Sequence, residues 1–366
     1  MPRIIPRLRL PRAVRGKSRF APRAATNDRL SDLPDFGANP GNLRARCYVP
    51  ADLPAGAPLV VVLHGCTQDA AVYDHGSGWS ALADRHGSAL LYPEQQRANN
   101  PMLCFNWFQA EDTARGRGEA ASIANMVEAI QARHALDPAR TFVTGLSAGG
   151  AMTMVMLAAY PELFAAGAPI AGVAFGCADS VSDAFQCMAG RGSSDAAGLA
   201  KSVRRASRHA GPWPRLQVWQ GSADTTVVPG NADSIARQWA ALHGLPAEPD
   251  SFDEVAGFPR RAWLDPHGEP VLEHLSITGM AHGVPLAARG GDEAIGAPGA
   301  HMLEVGLSST LQIAAFFGAA RIEQSRATAT PRPPVAAKPP RAPKAPPATG
   351  PQAIIEKALR AAGLMR

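Results

Sequence analysis

No run of about 18 or more apolar residues occurs in this sequence, so no segment reads as a transmembrane helix. There is no C-x-x-C spacing, and five scattered cysteines (Cys47, Cys66, Cys104, Cys177, Cys187) are too few for a disulfide-built scaffold and wrongly spaced for a structural zinc site. A Walker loop, an H-E-x-x-H helix and a dinucleotide fingerprint after a strand are all missing, so nothing in the sequence asks for a metal or an organic cofactor. The N-terminal segment carries a base every few residues as far as Arg23 and never offers the apolar core of a signal peptide. By sequence alone the chain reads as cytoplasmic.

Acidic side chains are absent from both ends. Residues 1–27 carry eight bases and no acid, and residues 326–352 carry five bases and no acid. Residues 353–366 add three bases and one acid, which leaves twenty bases and thirty acids in residues 28–325. The formal net charge of +5 therefore combines an acidic middle, near −10, with basic ends. An acidic middle repels phosphate and excludes specific nucleic-acid binding there; the basic ends are read as adhering to an anionic surface or a granule.

With 46% hydrophobic residues the middle can bury one large core. The organisation expected is a basic extension over 1–38, a globular domain over 39–320, a Pro/Ala/Lys-rich linker over 321–352 and a short amphipathic helix over 353–366. Nine prolines between 331 and 351 cannot bury a core and suit an extended spacer. Beyond them Ile355, Ala358, Leu359 and Ala362 share one helical face.

Within the domain, apolar runs alternate with helical periods. Strands are expected at Pro58 to Leu63, Ala89 to Tyr92, Thr141 to Thr144, Ala168 to Val173, Leu216 to Trp219, near Ala262, and at Leu272 to Ile277. Helices are expected around Trp79 to His86, Glu119 to His134, Ala148 to Ala159, Ala232 to Leu242 and Met302 to Phe317, with a Gly/Ser/Ala-rich excursion between about 174 and 210. This alternation predicts an α/β fold, a mostly parallel sheet covered by helices on both faces, with its ligand at the carboxyl ends of the strands.

Gly145-Leu146-Ser147-Ala148-Gly149 is a G-x-S-x-G string between a predicted strand and a predicted helix. A strand that turns sharply into a helix exposes the serine hydroxyl, and small residues on either side let the backbones pass. A serine nucleophile needs a base and a carboxylate, in the chain order Ser, acid, His. Asp224 follows the strand ending near Trp219, and His282 follows the strand ending at Ile277 on a loop flanked by Gly279 and Gly283. The competing histidines fit less well: His274 sits inside a strand, His301 opens a helix and His243 ends one. Of the other carboxylates, Asp233 reads as a helix-start residue and Asp265 as a turn residue.

Acyl transfer also needs donors for the developing oxyanion. One is expected from the backbone N–H of Ala148 and the other from Cys66 or Thr67, in the turn that Gly65 permits. His64 is read as fixing this turn, with a place in the substrate lining beside Trp107 and Phe108. Phe105, Trp107 and Phe108 are either core or ester-cleft residues, and Trp219 is core.

Five blocks, H-G-C-T-Q, E-Q-Q-R-A-N-N-P through C-F-N-W-F, G-L-S-A-G-G-A-M, G-S-A-D-x-x-V-x-P and G-M-A-H-G, occur in the order of a known family. Over about residues 40 to 320 the chain resembles the poly(3-hydroxybutyrate) depolymerase family of α/β-hydrolase esterases, and it is also similar to feruloyl and acetylxylan esterases. The resemblance implies a Ser147, Asp224, His282 triad without cofactor. The substrate it implies is a polyester oligomer or an acylated carbohydrate. It also implies disulfides Cys66–Cys104 and Cys177–Cys187 with Cys47 unpaired, and an exported protein; in a reducing cytosol the alternative is five buried thiols. Three readings follow: an esterase for short hydroxyalkanoate esters, a feruloyl or acetylxylan esterase, and a non-catalytic scaffold that binds polyanions or granules.

Overall fold

Leu59–Leu63, five consecutive apolar residues, forms a strand buried along its whole length, as the interior of a parallel sheet requires. The computed structural model describes residues 28–191, 195–289 and 294–321. The first 27 residues, the Pro-rich segment and the helix expected over 353–366 lie outside the described residues.

In chain order the strands are β1 (Ser31–Asp32), β2 (Arg44–Tyr48), β3 (Leu59–Leu63), β4 (Ala89–Glu94), β5 (Thr141–Leu146), β6 (Ala166–Ile170), β7 (Arg215–Gly221), β8 (Ser251–Val255), β9 (Phe258–Leu264), β10 (Pro270–Ile277), β11 (Val284–Leu286) and β12 (Met302–Glu304). The helices are α1 (Ala70–Ser77), α2 (Trp79–His86), α3 (Ala110–Thr113), α4 (Gly118–His134), α5 (Ala148–Ala159), α6 (Val181–Met188), α7 (Ala196–Ala206), α8 (Gly230–His243) and α9 (Ser309–Phe316). Ten strands form one sheet in the order β1-β2-β4-β3-β5-β6-β7-β10-β9-β8, while β11 and β12 pair separately. From β4 to β10 the pairing is parallel, and both outer edges are antiparallel.

The two faces of β3 enter different cores. Leu59, Val61 and Leu63 pack with Ile123 and Ile130 of α4, Met152 of α5, Val203 of α7 and Trp239 of α8. Val60 and Val62 pack on the opposite side with Tyr73 of α1, Trp79 and Leu82 of α2, and Ile313 and Phe316 of α9. Trp219 lies fully inside the second cluster. The architecture is that of the α/β-hydrolases.

Three expectations are corrected. Residues 28–38 belong to the packed domain and not to an extension: Leu30 and Leu33 are buried, β1 pairs with β2, and Arg29 reaches the Tyr48 hydroxyl at 2.6 Å. The helix expected over Met302 to Phe317 is divided, because Met302–Glu304 pairs with Val284–Leu286 as a strand and only Ser309–Phe316 is helical. Its N-cap is Ser308, whose hydroxyl accepts the Leu311 N–H at 3.2 Å. His301 therefore opens no helix; it precedes β12 with a φ of 61°.

Candidate active site

Ser147 occupies the turn between β5 and α5 with φ 57° and ψ −116°, a strained conformation for a residue with a side chain. Two bonds hold that backbone: the Ser147 N–H donates to Ile170 O at 2.9 Å, and Ser147 O accepts the first helical bond from Ala151 N–H at 2.8 Å. Glycine is required two residues either side because the chain passes too close for a Cβ. One at Gly149 would stand 2.3 Å from Leu63 O, and one at Gly145 would stand 2.6 Å from Gly149 O. The turn is thus wedged against the end of β3, which brings the His64–Gln68 segment beside the serine.

Asp224 and His282 are 58 residues apart but follow neighbouring parallel strands whose ends, Gly221 and Ile277, are in register. The two loops are sewn together by Ser222 N–H to Ile277 O at 3.0 Å, Ala223 N–H to Met280 O at 3.0 Å and Gly279 N–H to the Ser222 hydroxyl at 2.8 Å. A Cβ on Gly221 would stand 2.3 Å from Met280 O, so this approach also needs glycine.

The carboxylate of Asp224 is fully buried and surrounded by donors. One oxygen accepts the Thr226 and Val227 N–H groups at 2.8 and 3.0 Å; the other accepts Gln220 Nε2 at 3.1 Å and His282 Nδ1 at 2.7 Å. An ionised carboxylate, which only accepts, satisfies all four. With Nδ1 committed to Asp224, Nε2 of a neutral His282 is the acceptor, the form a general base needs. Ser147 and His282 line the same cavity of about 480 Å³, and no hydrogen bond joins their side chains.

Of the two turn residues expected as oxyanion donors, the structure leaves one available. Thr67 N–H donates to Met102 O at 2.7 Å and cannot also serve an oxyanion, which corrects its assignment. The N–H groups of Cys66 and Ala148 make no hydrogen bond among the described residues, and both residues border the cavity, Ala148 at the N-terminus of α5. His64 bonds within the turn as expected, but its place in the substrate lining is corrected too. It is buried outside the cavity lining, with Nδ1–H donating to Gly65 O at 2.8 Å and Nε2 accepting Gln95 N–H at 3.1 Å. Burial pushes its pKa down, and both nitrogens are occupied in the neutral ring. Trp107 and Phe108 border the cavity, whereas Phe105 is core and packs against His64.

Disulfides join Cys66 to Cys104 and Cys177 to Cys187, and Cys47 is free and buried. The first ties the turn after β3 to the segment bearing Trp107 and Phe108. The second anchors α6, whose Val181, Ala184, Phe185 and Met188 present one face to the cavity. Reading the sequence for motifs missed this helix face, because spacing of i, i+3, i+4 and i+7 marks a buried surface without saying what it covers.

Also missed was Glu119, fully buried at the start of α4. Its carboxyl accepts Gln95 Nε2 at 2.5 Å and Asn106 N–H at 2.9 Å, holding both ends of the cavity wall between them. Burial, reinforced by the nearby Asp112 charge, raises its pKa to about 8 against the two hydrogen bonds. A carboxyl group that binds its proton more tightly when folded contributes stability that is fully present below the ordinary value of 4.5 and is lost as pH rises towards 8. The expected result is an unfolding free energy that falls over this window by up to about 1.4 kcal/mol per pH unit from this group. Denaturant melts of wild type and Glu119→Gln at pH 5 to 9 check it: equal slopes for the two proteins would rule it out.

Fold and site together define the class: an α/β-hydrolase. Residues 46–251 match the family described as Esterase PHB depolymerase. The chain belongs to this family, the poly(3-hydroxybutyrate) depolymerase esterases, and is a carboxylic ester hydrolase. It is 46% identical over 290 residues to poly(3-hydroxyalkanoate) depolymerase C of Paucimonas lemoignei, covering 79% of this chain and 70% of that one. It is 34% identical over 288 residues to acetylxylan esterase A of Aspergillus oryzae, covering 75% and 90%. The solved structure of an acetyl xylan esterase from Aspergillus awamori superposes with a TM-score of 0.68 at 28% identity, covering 80% of this chain and 99% of that one.

Proposed function

We propose that this esterase hydrolyses short hydroxyalkanoate esters through an acyl-enzyme on Ser147. The observation that carries the reading is His282 held by a buried, four-donor Asp224 at 2.7 Å, in one cavity with a strained, half-buried serine. His282 takes the Ser147 proton as the hydroxyl attacks the ester carbonyl. The N–H groups of Ala148 and Cys66 receive the oxyanion, and His282 returns the proton to the leaving alcohol. Water activated by the same imidazole then releases the acid.

The cavity supports an acyl group larger than acetyl. Its walls include Met102, Trp107, Phe108, Val173, Phe185 and Met188, apolar surface that an acetyl group would leave largely unfilled. The similarity to a poly(3-hydroxyalkanoate) depolymerase agrees with that choice. Acetylxylan hydrolysis is the second reading, favoured by the structural likeness to the Aspergillus awamori enzyme. Initial rates on 3-hydroxybutyrate oligomers, p-nitrophenyl butyrate, methyl ferulate and acetylated xylan distinguish them. Oligomers and butyrate are expected to lead by at least about tenfold, as buried apolar groups are each worth about 1 to 3 kcal/mol of discrimination. Faster turnover of ferulate or acetylated xylan would displace the first reading.

A further inference from the structure

His282 follows a stretch, Gly279 and Met280, that is bonded to the Asp224 loop, but no hydrogen bond from that loop reaches the backbone of residue 282 itself. Gly279 has φ 75° with open space around the position of a Cβ, and Gly283 follows the histidine directly. Asp224 restrains the imidazole at Nδ1 but makes no hydrogen bond to the backbone of residue 282. Contact with that backbone comes from residue 301, immediately before β12.

The contact is double. His301 O accepts the Val284 N–H at 2.8 Å, and the His301 imidazole donates from Nδ1 to His282 O at 3.1 Å. A carbonyl only accepts, so Nδ1 of His301 carries the proton. The two imidazoles meet edge to face, 5.7 Å between centroids and 79° between planes. The segments are pressed together, since a Cβ on Gly283 would stand 2.8 Å from His301 O. His301 adopts φ 61°, a left-handed conformation uncommon for a residue with a side chain, and both histidines border the cavity.

We propose that His301 is a positioning residue, which clamps the main chain of His282 so that its imidazole faces Ser147 while Nδ1 stays on Asp224. This rests on the assignment of His282 as the general base. A loop flanked by glycines has many accessible backbone states, and a base must lie within hydrogen-bond reach of the proton it removes. The clamp selects among those states by holding the main chain of His282.

Three substitutions separate positioning from mere packing. Asparagine carries an amide nitrogen on Cγ, where histidine carries Nδ1, and tolerates positive φ. Glutamine places its amide one carbon further out, and alanine has no donor. With p-nitrophenyl butyrate, His301→Ala and His301→Gln are expected to lower kcat per fluorophosphonate-titrated site by about 10- to 100-fold, the scale of a misplacement near 1 Å, with KM changed less than about threefold. His301→Asn is expected to recover most of that loss. Equal kcat per titrated site in all three variants, with only melting temperature or the fraction of titratable protein reduced, overturns the clamp. His282→Ala keeps the two ideas apart: if that variant retains activity, the base assignment fails; if it is inactive and the 301 variants do not differ, the positioning role fails.

Discussion

Asp224→Asn is expected to lower kcat for soluble esters by about 10,000-fold while leaving the protein folded, the size of effect seen when a buried triad carboxylate becomes an amide. The reason lies in the four donors around Asp224: Gln220 Nε2, His282 Nδ1 and the N–H groups of Thr226 and Val227. An amide has one accepting oxygen and one donating nitrogen. If the oxygen keeps the two backbone N–H groups, the nitrogen faces His282 Nδ1 and drives the ring to the tautomer with its proton on Nε2. That ring cannot accept the Ser147 proton. Ser147→Ala removes the nucleophile itself and is expected to cost about a million-fold in kcat. Both variants should keep the far-UV circular dichroism and melting transition of wild type to within a few degrees. A loss below tenfold in either would sink the assignment of the corresponding residue.

Breaking the Cys66–Cys104 disulfide should weaken both the fold and the reaction. The bond closes a separation of 38 residues, and loop-closure entropy for such a length corresponds to about 3 to 4 kcal/mol. It also grips the residue whose N–H is offered as an oxyanion donor, and loss of one such donor costs about 3 kcal/mol in the transition state. Thr67 N–H to Met102 O still bridges the same two segments, so the donor should be displaced and not abolished. Cys104→Ser is therefore expected to lower stability by about 3 kcal/mol in denaturant melts and kcat by about tenfold or more. Cys187→Ser opens the 10-residue separation and should alter stability with a smaller effect on kcat. If Cys104→Ser loses stability but keeps full kcat, the bond is a staple alone and the second donor lies elsewhere.

The parts of this protein that could be read along the chain are those in which one residue's surroundings are its near neighbours. Buried parallel strands such as Leu59–Leu63 and Thr141–Leu146 declare themselves as apolar runs, and α5 by its small and apolar residues. The edges do not: β2 contains Arg44, which is exposed, and Arg46, which is buried but paired with Asp28 and Asp32, and β8 reads S-F-D-E-V with an exposed face. The G-x-S-x-G turn and the Ser, Asp, His order are equally local features, each following a strand at the sheet's carboxyl edge. Their physical cause is that a parallel sheet sends every such loop to the same side.

Sequence by itself thus determined the fold class, the turn bearing Ser147, and the loops that carry Asp224 and His282. Tertiary structure decided what each group does with its hydrogen bonds. It gave Thr67 N–H to Met102 and left Cys66 N–H open. It closed both nitrogens of His64 outside the cavity and buried Glu119 under the wall it supports. It set His301 on the backbone of His282 instead of in a helix. A backbone N–H has no residue type, and an imidazole has the same letters whether it catalyses, braces or packs. Which partner each finds depends on distances between segments far apart in the chain, and those distances exist only after the sheet has set its register.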